Sequence, residues 1–256
     1  MSGKEISNDP WRTLRQFTDA RIGLQRSGAS LATTPLLQFQ LAHARARDAV
    51  HAELDVERLR QELAASGPVM TVDSAAENRR DYLMRPDLGR RLDESARDKL
   101  AAHAGAYDIA VVIADGLAAN AAQTHAVPVI TELLPMLRKD WKIAPLVIAR
   151  HARVAIGDAV AAALGTRSVA ILIGERPGLS APDSLGAYLT WQPCASVTDA
   201  DRNCISNIRA GGIGYADAAF KIAQLLQAMR AGGVSGVALK DESGRLQLGN
   251  EPSNRS

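Results

Sequence analysis

Short unbroken apolar blocks alternate along this chain with longer segments whose apolar positions recur every three or four residues. Val69 to Val72, Ile109 to Ala114, Ile143 to Ala149 and Ser168 to Gly174 are rich in branched side chains, the pattern of strands covered on both faces. Helices are predicted from about Leu88 to Ala104, Ala118 to Arg138 and Ile156 to Leu164, each leading into the next strand. This alternation is βαβαβ, so the predicted class is α/β: a Rossmann-like parallel sheet with helices on both faces. Leu185 to Trp191 is a further candidate strand, and Tyr215 to Arg230 a strongly apolar helix. Ahead of this stands a different texture. Asp9-Pro10 is an N-cap and first-turn pair opening a helix that carries Trp11, Leu14 and Phe17. Arg21 to Thr34 reads as a loop bearing Arg21 and Arg26. A second helix starts at Thr34-Pro35, with Leu36, Leu37, Phe39 to Leu41, Ala44 and Ala49 near helical spacing, and a third runs from about Asp55 to Ala65. The expected organisation is a small N-terminal helical unit over 1–67 and the α/β domain over 68–256, with a polar, frayed tail beyond Asp241.

Within this pattern Val169 to Leu179, V-A-I-L-I-G-E-R-P-G-L, is the most informative stretch, because a buried strand ends abruptly in a charged loop bounded by Gly174 and Pro177. Ligands of open α/β sheets bind beyond the carboxyl ends of such strands. The stretch alone fits equally well a ligand mouth lined by Glu175 and Arg176 or an ordinary exit from a strand. Composition narrows the surroundings. With 30 basic and 28 acidic residues in 256, the formal charge is +2, which favours neither nucleic acid nor an anionic membrane as partner. The only cysteines, Cys194 and Cys204, form no C-x-x-C, so reduced thiols in a cytosol are expected instead of a disulfide framework or zinc site. No signal-peptide h-region or membrane span is recognisable, and a cytoplasmic protein is expected.

Familiar chemistry is missing as well. The nearest approach to a dinucleotide fingerprint, Gly212-Ile213-Gly214, follows a polar loop and has Asp217 in the third glycine position. Neither a phosphate-binding G-x-x-x-x-G-K-[ST] nor a G-x-S-x-G nucleophile elbow is present. His43, His51, His103, His125 and His151 are scattered without metal-ligand spacing. Asp115-Gly116, after the strand from Ile109, reads as a turn before it reads as a ligand contact.

Four polar-dense blocks stand out from the alanine-rich background: Y-L-M-R-P-D-L-G-R-R from Tyr82, R-V-A-I-G-D from Arg153, G-E-R-P-G-L extended by S-A-P-D-S-L-G, and D-R-N-C-I-S-N-I-R from Asp201. Together they closely resemble the small (light) subunit of ethanolamine ammonia-lyase, the adenosylcobalamin-dependent enzyme that converts ethanolamine to acetaldehyde and ammonia. The resemblance runs from Trp11 to about Lys240. It implies that the radical chemistry takes place in a large-subunit barrel and that cobalamin, bound base-on, lies between the two subunits. Catalytic residues and metal ligands are then not expected in this chain, which would be inactive alone. The cofactor contacts carried over are Val154, Glu175 and Cys204. Glu175 is read as a ligand residue more than as a surface ion pair, and Cys204 as touching the cofactor's periphery, not its cobalt. Obligate assembly with the large subunit into a higher hetero-oligomer is implied, in the cytoplasm or, as in some members, inside a bacterial microcompartment. Part of the arginine-bearing surface (Arg12, Arg21, Arg26, Arg45, Arg47 and Arg85 to Arg91) is assigned to that interface. The sequence departs from the family's usual pattern at Gln25, Ser27 and Ala118, which leaves the three cofactor positions intact. Two rivals stand beside this reading: a purely stabilising assembly subunit, and an independent small-molecule enzyme.

Overall fold

The computed structural model of this protein describes residues 11 to 239 except 12 and 19. The Asp9-Pro10 cap, Arg12 and the tail beyond Asp241 fall outside the described residues. In place of a helix carrying Leu14 and Phe17 there is a single 3-10 turn, Leu14–Gln16, with both side chains exposed. So short an apolar face holds a helix only where it is buried against something.

The chain continues through a two-residue hairpin, β1 (Arg26–Ser27) and β2 (Ser30–Leu31), to α1 (Thr33–His51). Next comes α2 (Val56–Leu63), capped by the Asp55 carboxylate accepting from the Arg58 amide. Then follow β3 (Val69–Asp73), α3 (Arg79–Met84), α4 (Glu94–Ala101), β4 (Ile109–Ala114), α5 (Ala119–Leu137), β5 (Leu146–Arg150), α6 (Ile156–Leu164), β6 (Ser168–Gly174), β7 (Leu185–Trp191), β8 (Arg202–Ile208) and α7 (Tyr215–Gly232).

Six strands form one sheet in the order β3-β5-β4-β6-β7-β8. The first four are mutually parallel, whereas β7 runs antiparallel to β6 and β8 antiparallel to β7. The expectation of a parallel sheet is corrected at this edge: only ten residues separate Gly174 from Leu185, too few for a crossover helix, so the chain turns back beside β6. Alternation along the strands divides the core in two. Ile109, Val111 and Ile113 of β4 face α2, α5 and α7, while Ala110, Val112 and Ala114 face α4 and α6. Helices therefore cover both faces, as the apolar blocks predicted, and Leu59 and Leu63 of α2 lie in the main core.

Two boundaries shift for local reasons. The helix expected over 88–104 is a 3-10 turn, Leu88–Arg90, followed by α4, because the chain between them pairs with the end of β3: the Ala75 amide donates to Arg91 O and the Asp93 amide to Asp73 O. Ile143 bridges Ile109, but the regular strand begins at Leu146, after Pro145, which has no amide to donate. Among the described residues no helix is long and apolar enough to cross a membrane.

Candidate functional site

Because α5 leaves β4 on one face and α6 leaves β5 on the other, the natural ligand crevice of this sheet lies between the carboxyl ends of those neighbouring strands. The protein's own side chains fill it. The Asp115 carboxylate accepts the amides of Gly116, His151 and Ala152, all at 2.9 Å, and Arg79 Nη1 at 3.2 Å. Burial pushes the Asp115 carboxyl up, and the amides and Arg79 oppose that shift. The guanidinium groups of Arg79 and Arg153 lie on the fully buried Tyr82 ring, 4.7 and 4.4 Å from its centroid. Asp115-Gly116 is thus a structural turn, in line with the first of its two sequence readings.

Glu175 stands at the carboxyl end of β6, as G-E-R-P-G-L suggested, half-buried at the mouth. At Gly174 the chain's own backbone comes close: a Cβ there would lie 2.1 Å from Ala118 O. The Glu175 carboxylate accepts Ser184 Oγ at 2.5 Å, Ser206 Oγ at 2.6 Å and the Asn207 amide at 3.2 Å. It makes no ion pair among the described residues. Two of the three donors come from a β-bulge. Leu185 pairs with Ile208 and Ala187 with Ile205, so β8 carries one residue more than β7 between those pairs. The extra residue and the left-handed Asn207, with φ 61°, aim Ser206 and Asn207 at Glu175, a common use of bulges beside functional sites.

Cys204 belongs to β8, a strand not predicted from the sequence, and it stands opposite Tyr188 of β7. That strand was missed because its polar residues are the exposed face of an edge strand: Cys204 and Ser206 are open, whereas Ile205 and Ile208 enter the core below. Crowding around its sulfur pushes the Cys204 thiol up, and hydrogen bonding from Tyr188 partly offsets this. Burial pushes the Tyr188 phenol up as well. Both groups keep their protons at neutral pH. Arg202, the cation nearest to Cys204 in sequence, is engaged elsewhere. Buried beneath the sheet edge, it donates to the Asp158 carboxylate of α6 and to Thr198 O. Burial raises the Asp158 carboxyl, and Arg202 draws it back down.

Val154 occupies the turn between β5 and α6 and packs on the same core cluster as Tyr188. Glu175 lies near enough to Tyr188 and Cys204 for its charge to bear on both. Glu175 and Cys204 thus border one stretch of the sheet, on β7 and β8 around Tyr188, whereas Val154 shares with Tyr188 only the core cluster on that face. Tyr188, Ser184, Ser206, Asn207 and the Asp158–Arg202 pair belong to that neighbourhood but were not singled out. Apart from Tyr188, each lies in one of the polar-dense blocks: Asp158 in R-V-A-I-G-D, Ser184 in S-A-P-D-S-L-G, and Arg202, Ser206 and Asn207 in D-R-N-C-I-S-N-I-R. Among the described residues no cluster of His, Cys, Asp and Glu could hold a metal ion.

The family model for ethanolamine ammonia-lyase light chain (EutC) matches residues 8–240. The chain is 55% identical to the ethanolamine ammonia-lyase small subunit of Bradyrhizobium diazoefficiens over 247 residues, which cover 95% of each protein. It is 50% identical to that of Ralstonia nicotianae, with 92% of this chain and 90% of the relative covered. With the small subunit of Pseudomonas syringae pv. tomato the identity is 49%, over 92% of this chain and 84% of the relative. The chain belongs to the ethanolamine ammonia-lyase light chain family.

Proposed function

We propose that this chain, as the small subunit of an ethanolamine ammonia-lyase, forms one wall of an adenosylcobalamin site shared with the large subunit. The observation that carries the reading is the bulge-built clamp on Glu175. A carboxylate held by three donors is immobile, yet its four lone-pair positions leave one for an outside donor. The Tyr188 hydroxyl and the protonated Cys204 thiol stand beside it on an open strand face. This donor and acceptor set fits the amide arms of a corrin, and it lacks the thiolate or imidazole that would compete for cobalt.

Bound adenosylcobalamin supplies the radical that starts the reaction, in the large-subunit barrel. This chain's residues bind, orient and exclude water. Glu175 accepts an amide N–H of the cofactor, Val154 gives an apolar rest ahead of α6, and Cys204 touches the periphery. The cofactor is bound base-on, and the chain has no activity alone. In this reading residues 1–67 serve assembly and residues 68–256 carry the wall, with α2 pinned to the sheet through Leu59 and Leu63. The large subunit covers α1, whose only buried residue is Ala49, and the neighbouring cavity of about 400 Å³ lined by Arg21, Gln38, Leu41, Arg45, Leu179 and Pro182. Subunit pairs join in a higher hetero-oligomer that works in the cytoplasm, free or within a microcompartment.

The test is cobalamin affinity of the complex reconstituted with the large subunit. Glu175→Ala and Cys204→Ala should each weaken it, and unchanged affinity in both would leave only the assembly role.

A further inference from the structure

Tyr188 stands between Glu175 and Cys204 on this open face. It pairs across the β7–β8 ladder with Cys204, so the two side chains leave the sheet on the same side about 5 Å apart at Cβ. On its other flank is Gly186, where an added Cβ would lie 2.8 Å from Glu175 Oε1 and 3.1 Å from Tyr188 Cε2. Glycine at this position lets the carboxylate and the phenol ring close in from either side. The inner part of the ring packs on the core cluster that also receives Val154.

We propose that Tyr188 is a positioning residue of the cofactor wall, its hydroxyl holding the Cys204 sulfur so that the S–H is turned outward to an amide oxygen of the cobalamin. The inference rests on the shared-site reading above. The S–H of a thiol turns easily about its Cβ–Sγ bond and is a weak donor. An O–H directed at one sulfur lone pair removes that freedom while leaving the thiol proton available. The ring is held on one side by its packing on the core cluster.

Tyr188→Phe keeps the ring and its packing and removes only the hydroxyl. With Cys194→Ser as background, Cys204 is the single reporter thiol. In the complex reconstituted with the large subunit, adenosylcobalamin binding should weaken about fivefold for Tyr188→Phe and for Cys204→Ala, the loss of one modest hydrogen bond. The double variant should bind no more weakly than Cys204→Ala. An equal added loss from Tyr188→Phe when the thiol is already gone would overturn the proposal, because the hydroxyl would then act without Cys204. A second measurement needs no cofactor: the pH profile of Cys204 alkylation in the full chain. Losing a donor to the sulfur should move that profile to higher pH, and an unmoved profile would also overturn the proposal. Unchanged affinity for both Glu175→Gln and Cys204→Ala would defeat the shared-site reading and the inference with it. A loss at Glu175→Gln and Cys204→Ala with none at Tyr188→Phe would defeat the inference alone.

Discussion

Glu175 was visible in the sequence as a carboxylate at a strand mouth, but the groups that hold it were not. Ser184 lies 9 residues away and Ser206 31, and only the register of three strands brings them together. The same limit hid the Asp158–Arg202 pair, whose members are 44 residues apart. Its worth is testable. Arg202→Met leaves a buried carboxylate without its counter-ion and should cost about 3 kcal/mol in urea denaturation, whereas Asp158→Leu combined with Arg202→Met should recover most of that loss. A double variant no more stable than the single would mean that Arg202 acts through Thr198 instead. The two cysteines invite a comparison by pH. Hydrogen bonds from Ser196 draw the Cys194 thiol down, while crowding around its sulfur pushes the Cys204 thiol up. A lowered thiol holds more thiolate at a given pH, and a raised one holds less. At pH 8 iodoacetamide should therefore label Cys194 before Cys204, with equal rates by mass spectrometry counting against it.

At the scale of elements, β4 and β6 were legible as unbroken apolar blocks and α6 as the apolar helical run before β6, and their bounds agree with the structure to within a residue. β8 was illegible for the opposite reason. Its bulge inserts a residue between Ile205 and Ile208, which breaks the period of two just where a strand signal would be sought. That irregularity is what delivers Ser206 and Asn207 to Glu175, so the feature most closely tied to the candidate site is the one that erases its own pattern. Asn207 tolerates φ 61° as a β-branched residue cannot. Asn207→Val should lower thermal stability by about 1–3 kcal/mol and weaken cobalamin binding in the complex. Asn207→Gly should restore the backbone and with it most of the affinity. If both variants bind alike, the bulge geometry does not serve the cofactor.

For the whole molecule, α1 poses the sharpest physical problem. It has 19 residues and buries only Ala49, while Leu37 and Leu41 are 57% and 52% exposed. Helices in water draw most of their stability from packing an apolar face, and one of this length is marginal without it. The expected helical spacing was correct, yet spacing cannot reveal whether the chain supplies its own cover. Here the sheet does not: Val50 O accepts from Arg79 Nε at 2.9 Å and fastens the carboxyl end, but the apolar positions further up face outward. With the large subunit as the proposed cover, Arg21 and Arg45 beside Leu41 ask for acidic groups at its rim. Hydrogen exchange separates this from chance exposure. Amides of residues 33–47 should exchange rapidly in the isolated chain and become protected on reconstitution with the large subunit, while β4 stays protected in both. Arg21→Glu with Arg45→Glu should abolish both that protection and co-purification. Protection in the complex that survives the reversal would assign the cover to apolar contact alone, and no gain in protection at all would remove α1 from the interface.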